Sequence, residues 1–322
     1  MNRYFSLTHL AWAALLSLFL FASTLFPSSA HAAAITMDLQ RVLTFPETTR
    51  GIDGLMYDPV TGKYYVRRNW FNSTHMTEYA NADNFANGVN GVVTTAPSFS
   101  GTYAAVENGI VYARSDRTTP QYGRWDLGSG GALVTSVAMP EFDGSNGNPG
   151  TFAWGGFSGL NTMRGGNGLY IVGGAASRDG TWTVRRITDQ NTLSTEFVAN
   201  LGPSPFGFGF IVGDQLFMGR DFQSAGIDLQ VDLTTGVSSA VSHSLAGLDL
   251  TNSQWISNTF YDTLTDSLFV LQNGSNGGRL SRSTGIAQAL GLTPVVVSEG
   301  SALSLLGLAV LLLFWTRRRL AG

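Results

Sequence analysis

The 322-residue chain contains no cysteine, so no disulfide braces it and no thiolate can serve as nucleophile or metal ligand. Lysine is nearly absent as well, Lys63 being the only one. From Ala33 to Ser298 that lysine and 14 arginines face 21 carboxylates, a net charge of −6. A nucleic-acid partner needs a basic surface, and this balance argues against one. Histidine is scarce: beyond residue 32 only His75 and His243 occur, in no spacing that suggests a metal cluster. There is no His-Glu-x-x-His, Gly-x-Ser-x-Gly or Walker loop, which argues against zinc hydrolysis, serine-triad chemistry and nucleotide binding. No cofactor motif is present, and none is expected.

Long helical periodicity is also missing between residues 33 and 290. Short runs rich in Tyr, Phe, Val, Ile and Thr take its place, broken every eight to twelve residues by Gly, Asn, Asp or Pro. That pattern belongs to an all-β sandwich, barrel or propeller. A longer period separates these choices. Five segments resemble one another: "KYYVRR" from Lys63, "GIVYARS" from Gly109, "GLYIVGG" from Gly168, "QLFMGRD" from Gln215 and "SLFVLQN" from Ser267. Aligned on Tyr64, Ile110, Leu169, Leu216 and Leu268, they recur at intervals of 46 to 59 residues. Each follows a similar run, "TFAWGGFSGL" from Thr151 being the one in the third unit, and each precedes a third alternating run such as "MTEYANA" from Met76.

Such units describe blades, because one small sheet cannot bury both faces alone whereas a ring of sheets can. The expected fold is therefore an all-β, five-bladed β-propeller, with six or seven blades or a β-sandwich as alternatives. The fifth blade lacks an outer strand after Thr284, and "ITMDLQRVLTF" from Ile35 is unassigned. The N-terminal run is expected to complete blade five and close the ring. Asp58, Asp232 and Asp262 each open a turn in which small or polar residues follow. "GFGFIVG" from Gly207 has no helix after it to bind phosphate, and reads instead as an inner strand packed close to the axis.

Candidate chemistry is sparse. A glycosidase needs two carboxylates about 5 to 10 Å apart, and Asp53, Glu107 and Asp221 stand nearest the expected funnel. The plain reading is that they are solvated strand-end acids. The loop "EFDGSNGNPG" from Glu141 is rich in oxygen, and Asp143, Ser145, Asn146 and Asn148 are candidate calcium ligands, although their order is not that of an EF-hand. Trp70, Trp125, Trp154, Trp182 and Trp255 suit sugar faces where exposed and cores where not.

Both ends of the chain carry apolar stretches. Residues 1–32 read as a secretory signal, with Ala30-His31-Ala32 in the small-x-small cleavage pattern; 33–290 form the β domain and 291–300 a linker. Residues 301–316 form a hydrophobic helix whose 14 uncharged residues, Ala302 to Trp315, span about 21 Å against a bilayer core of about 30 Å. The tail 317–322 carries Arg317, Arg318 and Arg319, which belong on the cytoplasmic side.

The stretch "VSEGSALSLLGLAVLLLFWTRRR" resembles the PEP-CTERM sorting signal of exosortase substrates: Ser298-Glu299-Gly300 stands where the Pro-Glu-Pro motif is usual, "LLGL" follows at Leu305 to Leu308, and the arginines close it. Both prolines of the motif are missing. The resemblance implies export, transient anchoring in the inner membrane, processing near Glu299 by an exosortase-type transpeptidase, and delivery to the surface or matrix of a biofilm-forming bacterium. Together these readings give an exported, non-enzymatic β-propeller with exopolysaccharide as a possible ligand. The alternatives are an extracellular carbohydrate-active enzyme on the same fold and a membrane-tethered interaction module with an intact tail.

Overall fold

A computed structural model describes residues 34–45, 52–68, 75–115, 119–142, 160–204, 206–220, 223–248, 250, 254–274 and 277–293. The expected signal, sorting motif, hydrophobic helix and basic tail lie outside these residues.

The chain opens with β1 (Thr36–Asp38) and β2 (Gln40–Phe45). Blade 1 follows as β3 (Ile52–Asp58), β4 (Lys63–Arg68), β5 (His75–Tyr79), the helix α1 (Ala82–Asn87) and β6 (Val92–Thr95). Blade 2 comprises β7 (Ser100–Glu107), β8 (Ile110–Arg114), β9 (Gln121–Asp126) and β10 (Ala132–Ala138). Blade 3 comprises β11 (Leu160–Gly165), β12 (Gly168–Gly174), β13 (Trp182–Asp189) and β14 (Ser194–Leu201). Blade 4 has β15 (Phe208–Val212), β16 (Gln215–Gly219), β17 (Gly226–Asp232) and β18 (Ser238–Ala246). Blade 5 has β19 (Trp255–Asp262), β20 (Ser267–Asn273) and β21 (Gly278–Thr284), followed by the short helix α2 (Ile286–Ala289).

Each blade is an antiparallel meander, and the inner strands β3, β7, β11, β15 and β19 pack in sequence around one axis, with β19 returning to β3. This is the expected five-bladed propeller. Closure also follows expectation, because β2 pairs antiparallel with β21 as the fourth strand of blade 5. The N-terminal run does more than that, however. It divides at Leu39, and β1 pairs in parallel with β18 on the edge of blade 4. Met37 and Leu39 are both buried between blades 4 and 5 while Thr36, Asp38 and Gln40 are exposed, so the alternation runs unbroken through the step from one blade to the next.

The physical reason for the ring is visible in the second strands. Successive side chains of a strand point to opposite faces, yet Tyr64, Tyr65 and Val66 are all buried. Tyr64 and Val66 enter the core shared with Phe269 and Leu271 of blade 5, whereas Tyr65 enters the core shared with Val106, Val111 and Trp125 of blade 2. Five such cores lie between the five pairs of neighbouring blades. Sheets that are apolar on both faces have no stable arrangement except between two others.

Three readings of the sequence are corrected. In blade 2 the residue equivalent to Tyr64 is Val111 rather than Ile110, because Glu107 pairs with Ile110 across a two-residue turn whereas Asp58 pairs with Lys63 across a four-residue one. The inner strand of blade 3 is β11, which begins where "TFAWGGFSGL" ends; residues 151–159 lie outside the described part. Finally, the run from Met76 passes into α1. Asn81 caps this helix by accepting from the Asn84 amide, Phe85 anchors it in the core, and Gly88 ends it in the left-handed conformation.

Candidate functional site

The centre of the expected funnel is closed by side chains of the inner strands. Tyr103 of β7 is fully buried, and its hydroxyl lies 3.0 Å from Thr259 Oγ1 of β19, across the axis. Thr259 in turn donates to the Gly209 carbonyl of β15 at 2.6 Å. The Asn258 amide nitrogen donates to the Thr102 carbonyl at 2.5 Å, a second bar between blades 5 and 2. Burial pushes the Tyr103 hydroxyl well above its ordinary range, so it stays protonated and polar rather than reactive.

Small residues permit this closure. Gly209 lets Thr259 approach its backbone, and a side chain at Gly219 would collide with the ring of Phe208. This is the alternation of glycine with buried Phe206, Phe208 and Phe210 that the "GFGF" run suggested. On the side toward the hairpin turns a cavity of about 50 Å³ remains, lined by all five inner strands. Pockets for organic ligands run to several hundred cubic ångströms, so this one admits water and not a sugar ring. The buried Asn258 Oδ1, which has no protein partner, suits such a water.

The acids at the ends of the inner strands have structural partners. Asp58 is fully buried. Its carboxylate accepts from the Val60 and Thr61 amides of its own turn, at 3.0 and 3.4 Å, and from the Asn108 and Gly109 amides of the blade 2 turn, at 3.0 and 2.9 Å. Asp262, also fully buried, accepts from the Leu264 amide at 2.8 Å, from the Thr265 hydroxyl, and from the Tyr64 hydroxyl of blade 1 at 2.5 Å. Asp214 accepts from the Asn167 side-chain amide of blade 3 at 2.7 Å and from its backbone amide at 3.1 Å. A ring of latches thus ties each of these turns to a neighbouring blade.

Glu107 belongs to the same ring. It pairs with Arg164 of β11 at 2.7 Å and accepts from Gln190 of blade 3 at 2.7 Å. Of the three carboxylates expected near the funnel it is the only one whose side chain is described. Asp53 falls in β3 with its side chain outside the described residues, and Asp221 lies outside them altogether. The calcium candidates Asp143, Ser145, Asn146 and Asn148 also lie outside. Among the described residues no group of three or more His, Asp or Glu side chains could hold a metal ion.

Trp125 and Trp182 are core residues, Trp255 is half-buried, and Trp70 and Trp154 lie outside the described part. Of the two histidines beyond residue 32, His243 is buried and accepts the Ile35 amide on Nδ1 at 3.2 Å, which holds β1 against blade 4. Burial lowers its pKa and keeps that nitrogen free to accept. Sequence reasoning did not find Tyr103, Asn258 or Thr259. One signal was available: Asn161-Thr162 and Asn258-Thr259 occupy equivalent positions, each asparagine pairing with the fifth residue of its second strand. Each threonine reaches back to the preceding blade, Thr162 to the Tyr122 hydroxyl at 2.7 Å and Thr259 to Gly209.

No curated protein matches the chain in sequence. Among solved structures, regucalcin, a calcium-binding protein from Agrobacterium tumefaciens str. C58, aligns over 78% of this chain and 95% of its own at 13% identity and a TM-score of 0.42. A virginiamycin B lyase from Staphylococcus aureus aligns over 77% and 75% at 14% identity and a TM-score of 0.38. A luciferin-regenerating enzyme aligns over 77% and 95% at 9% identity and a TM-score of 0.40. Likeness at this level transfers neither substrate nor activity. The olfactomedin-like domain model matches residues 41–276, from β2 to just short of β21, and the chain therefore belongs to the olfactomedin-like domain family.

Proposed function

We propose that this protein is an exported, non-enzymatic binding module, processed by an exosortase-type enzyme at its C-terminal signal and delivered to the cell surface or extracellular matrix. The observation that carries the non-enzymatic part is the occupation of the carboxylates: Asp58, Glu107, Asp214 and Asp262 are spent on latching blades, and the axis above them is barred by Tyr103 and Asn258. A glycosidase needs a carboxylate pair facing an open cleft. Membership in the olfactomedin-like family is compatible with an extracellular site of action.

The sorting part rests on the sequence from Ser298 to Arg319. None of the described helices is long and apolar enough to cross a membrane. Intact-mass measurement on protein recovered from cells with and without the processing enzyme tests this part. The expected species ends near Glu299 in the former and keeps the tail in the latter. A mass retaining residues 302–322 in both contradicts processing and supports a permanently tethered module.

A further inference from the structure

The five blades end in outer edges that are not alike. An edge strand presents unpaired main-chain N–H and C=O groups to any extended chain, and folded proteins discourage that pairing with charge, a bulge, a short strand or a cover. In blade 4 the edge β18 is covered by β1, which has only three residues and carries the exposed Asp38. In blade 5 the edge β2 carries the exposed Arg41. In blade 3 the edge β14 carries Glu196, half-exposed in its pair with Arg186 at 2.6 Å, and its register with β13 shifts twice. In blade 2 the edge β10 has no charge, but it bulges at Val134, where the register jumps from Leu133 to Thr135.

Blade 1 ends in β6, Val92-Val93-Thr94-Thr95, which has neither a charge nor a bulge. Its register with β5 runs unbroken from the Val92 and Glu78 pair to the Thr95 and His75 pair. Among the described residues no further strand pairs with it. Val92 is 61% exposed and Val93 66%, the two most exposed of the large apolar side chains described. Valine and threonine favour a strand packed on both sides, and this one has a neighbour on one side only.

The chemistry of the edge selects a second copy of the same chain as its neighbour. A twofold axis perpendicular to the sheet runs two such edges antiparallel and sets one residue opposite itself. Centred on Val93, it sets Val92 of each copy opposite Thr94 of the other. Every facing pair near the axis is then Val or Thr, and no like charges meet. The same operation on β14 or β2 brings Glu196 or Arg41 toward its own counterpart. Glu78, beside Val92 in the sheet, is already paired with Lys63 at 2.6 Å, so it adds no net charge at this edge. Four residues form about four main-chain hydrogen bonds across the axis, which makes the contact weak and dependent on concentration.

We propose that β6 pairs with β6 of a second copy, joining two blades into one continuous sheet and the two chains into a reversible twofold dimer. The proposal goes beyond the binding-module reading and does not depend on it.

The lack of cysteine supplies the test, because a single introduced cysteine can form a disulfide only between copies, and only where the two positions lie close together. Val93→Cys and Thr94→Cys are made in the full chain, solubilised in detergent, and oxidised with copper phenanthroline in air. Val60→Cys, at a valine 58% exposed in the turn between β3 and β4, is the comparison. Each variant is repeated with Val92→Lys added, after thermal melting has verified folding; Thr95→Lys, also at an exposed position, replaces any lysine variant that fails to fold. Covalent dimer is expected from Val93→Cys or Thr94→Cys at least tenfold faster than from Val60→Cys, and the added lysine is expected to remove that excess. Linkage no faster than at Val60, or an excess that survives the lysine, overturns the proposal and leaves the module reading untouched.

Discussion

Replacing Asp58 by alanine isolates what a latch contributes. Asp58 and Asp232 make nearly the same turn: each accepts from the amides two and three residues ahead, and each has its own carbonyl bonded by the glycine four residues on, Gly62 and Gly236, at 2.8 Å. They differ in the two further bonds that Asp58 accepts from Asn108 and Gly109 of blade 2 and in its complete burial. Losing the turn acceptor alone costs about 1 kcal/mol, as at a helix cap. Leaving two part-buried amides without an acceptor adds about 1 to 2 kcal/mol each. Asp58→Ala is thus expected to cost about 3 to 5 kcal/mol and Asp232→Ala about 1 kcal/mol. For a domain of this size that means a fall in melting temperature of about 6 to 20 °C against about 2 to 4 °C. Thermal and urea unfolding of both variants, followed by circular dichroism, measures the difference. Equal losses refute the argument, since the turn alone would then account for the acid.

Two pH effects follow from buried titratable groups. Burial raises the pKa of Tyr57, Tyr64, Tyr65, Tyr103, Tyr122 and Tyr261 above the ordinary 10.0. The unfolded chain therefore ionises first, and stability that is full below pH 10 declines as pH rises above it. Tyrosinate absorbance should appear together with unfolding; free ionisation of all the tyrosines in the native state contradicts their burial. His243 has its pKa lowered from 6.5 by burial, so its contribution is full above that value. The contribution is lost as pH falls from 6.5 toward the lowered folded value. Hydrogen exchange at Ile35, whose amide bonds to His243 Nδ1, should accelerate over the same interval, and a flat profile argues against a neutral acceptor nitrogen.

Much of the architecture was legible because it depends on periodicity. The second strands announce themselves as apolar runs, since Tyr64, Tyr65 and Val66 must satisfy two interfaces at once. The missing fourth strand of blade 5 was a matter of counting, and β2 supplies it. The role of β1 was not legible, because its alternation runs on through Leu39 and Gln40 without a break, and nothing local marks the step from blade 4 to blade 5. The acids were visible at the ends of the inner strands, in Asp58, Glu107 and Asp262. Their partners were not: Asn108, Gln190 and Tyr64 lie 50, 83 and 198 residues away. Only the ring brings them together. Closure of the axis by Tyr103 was hidden for a similar reason, because a tyrosine in a strand is ordinarily core, and nothing local says that it will reach Thr259.

The central proposal is that the described carboxylates around this axis, Asp58, Glu107, Asp214 and Asp262, serve to hold blades together rather than to carry out a reaction. Assay of the purified domain and of Glu107→Gln against a panel of chromogenic glycosides, with the melting temperature of each, tests it most directly. Glu107 is partly exposed in its pair with Arg164, so the substitution should cost about 1 to 2 kcal/mol. The account predicts a melting temperature lower by about 2 to 8 °C and no turnover above the blank in either protein. Turnover in the wild type that disappears in Glu107→Gln, with the melting temperature unchanged, would contradict it.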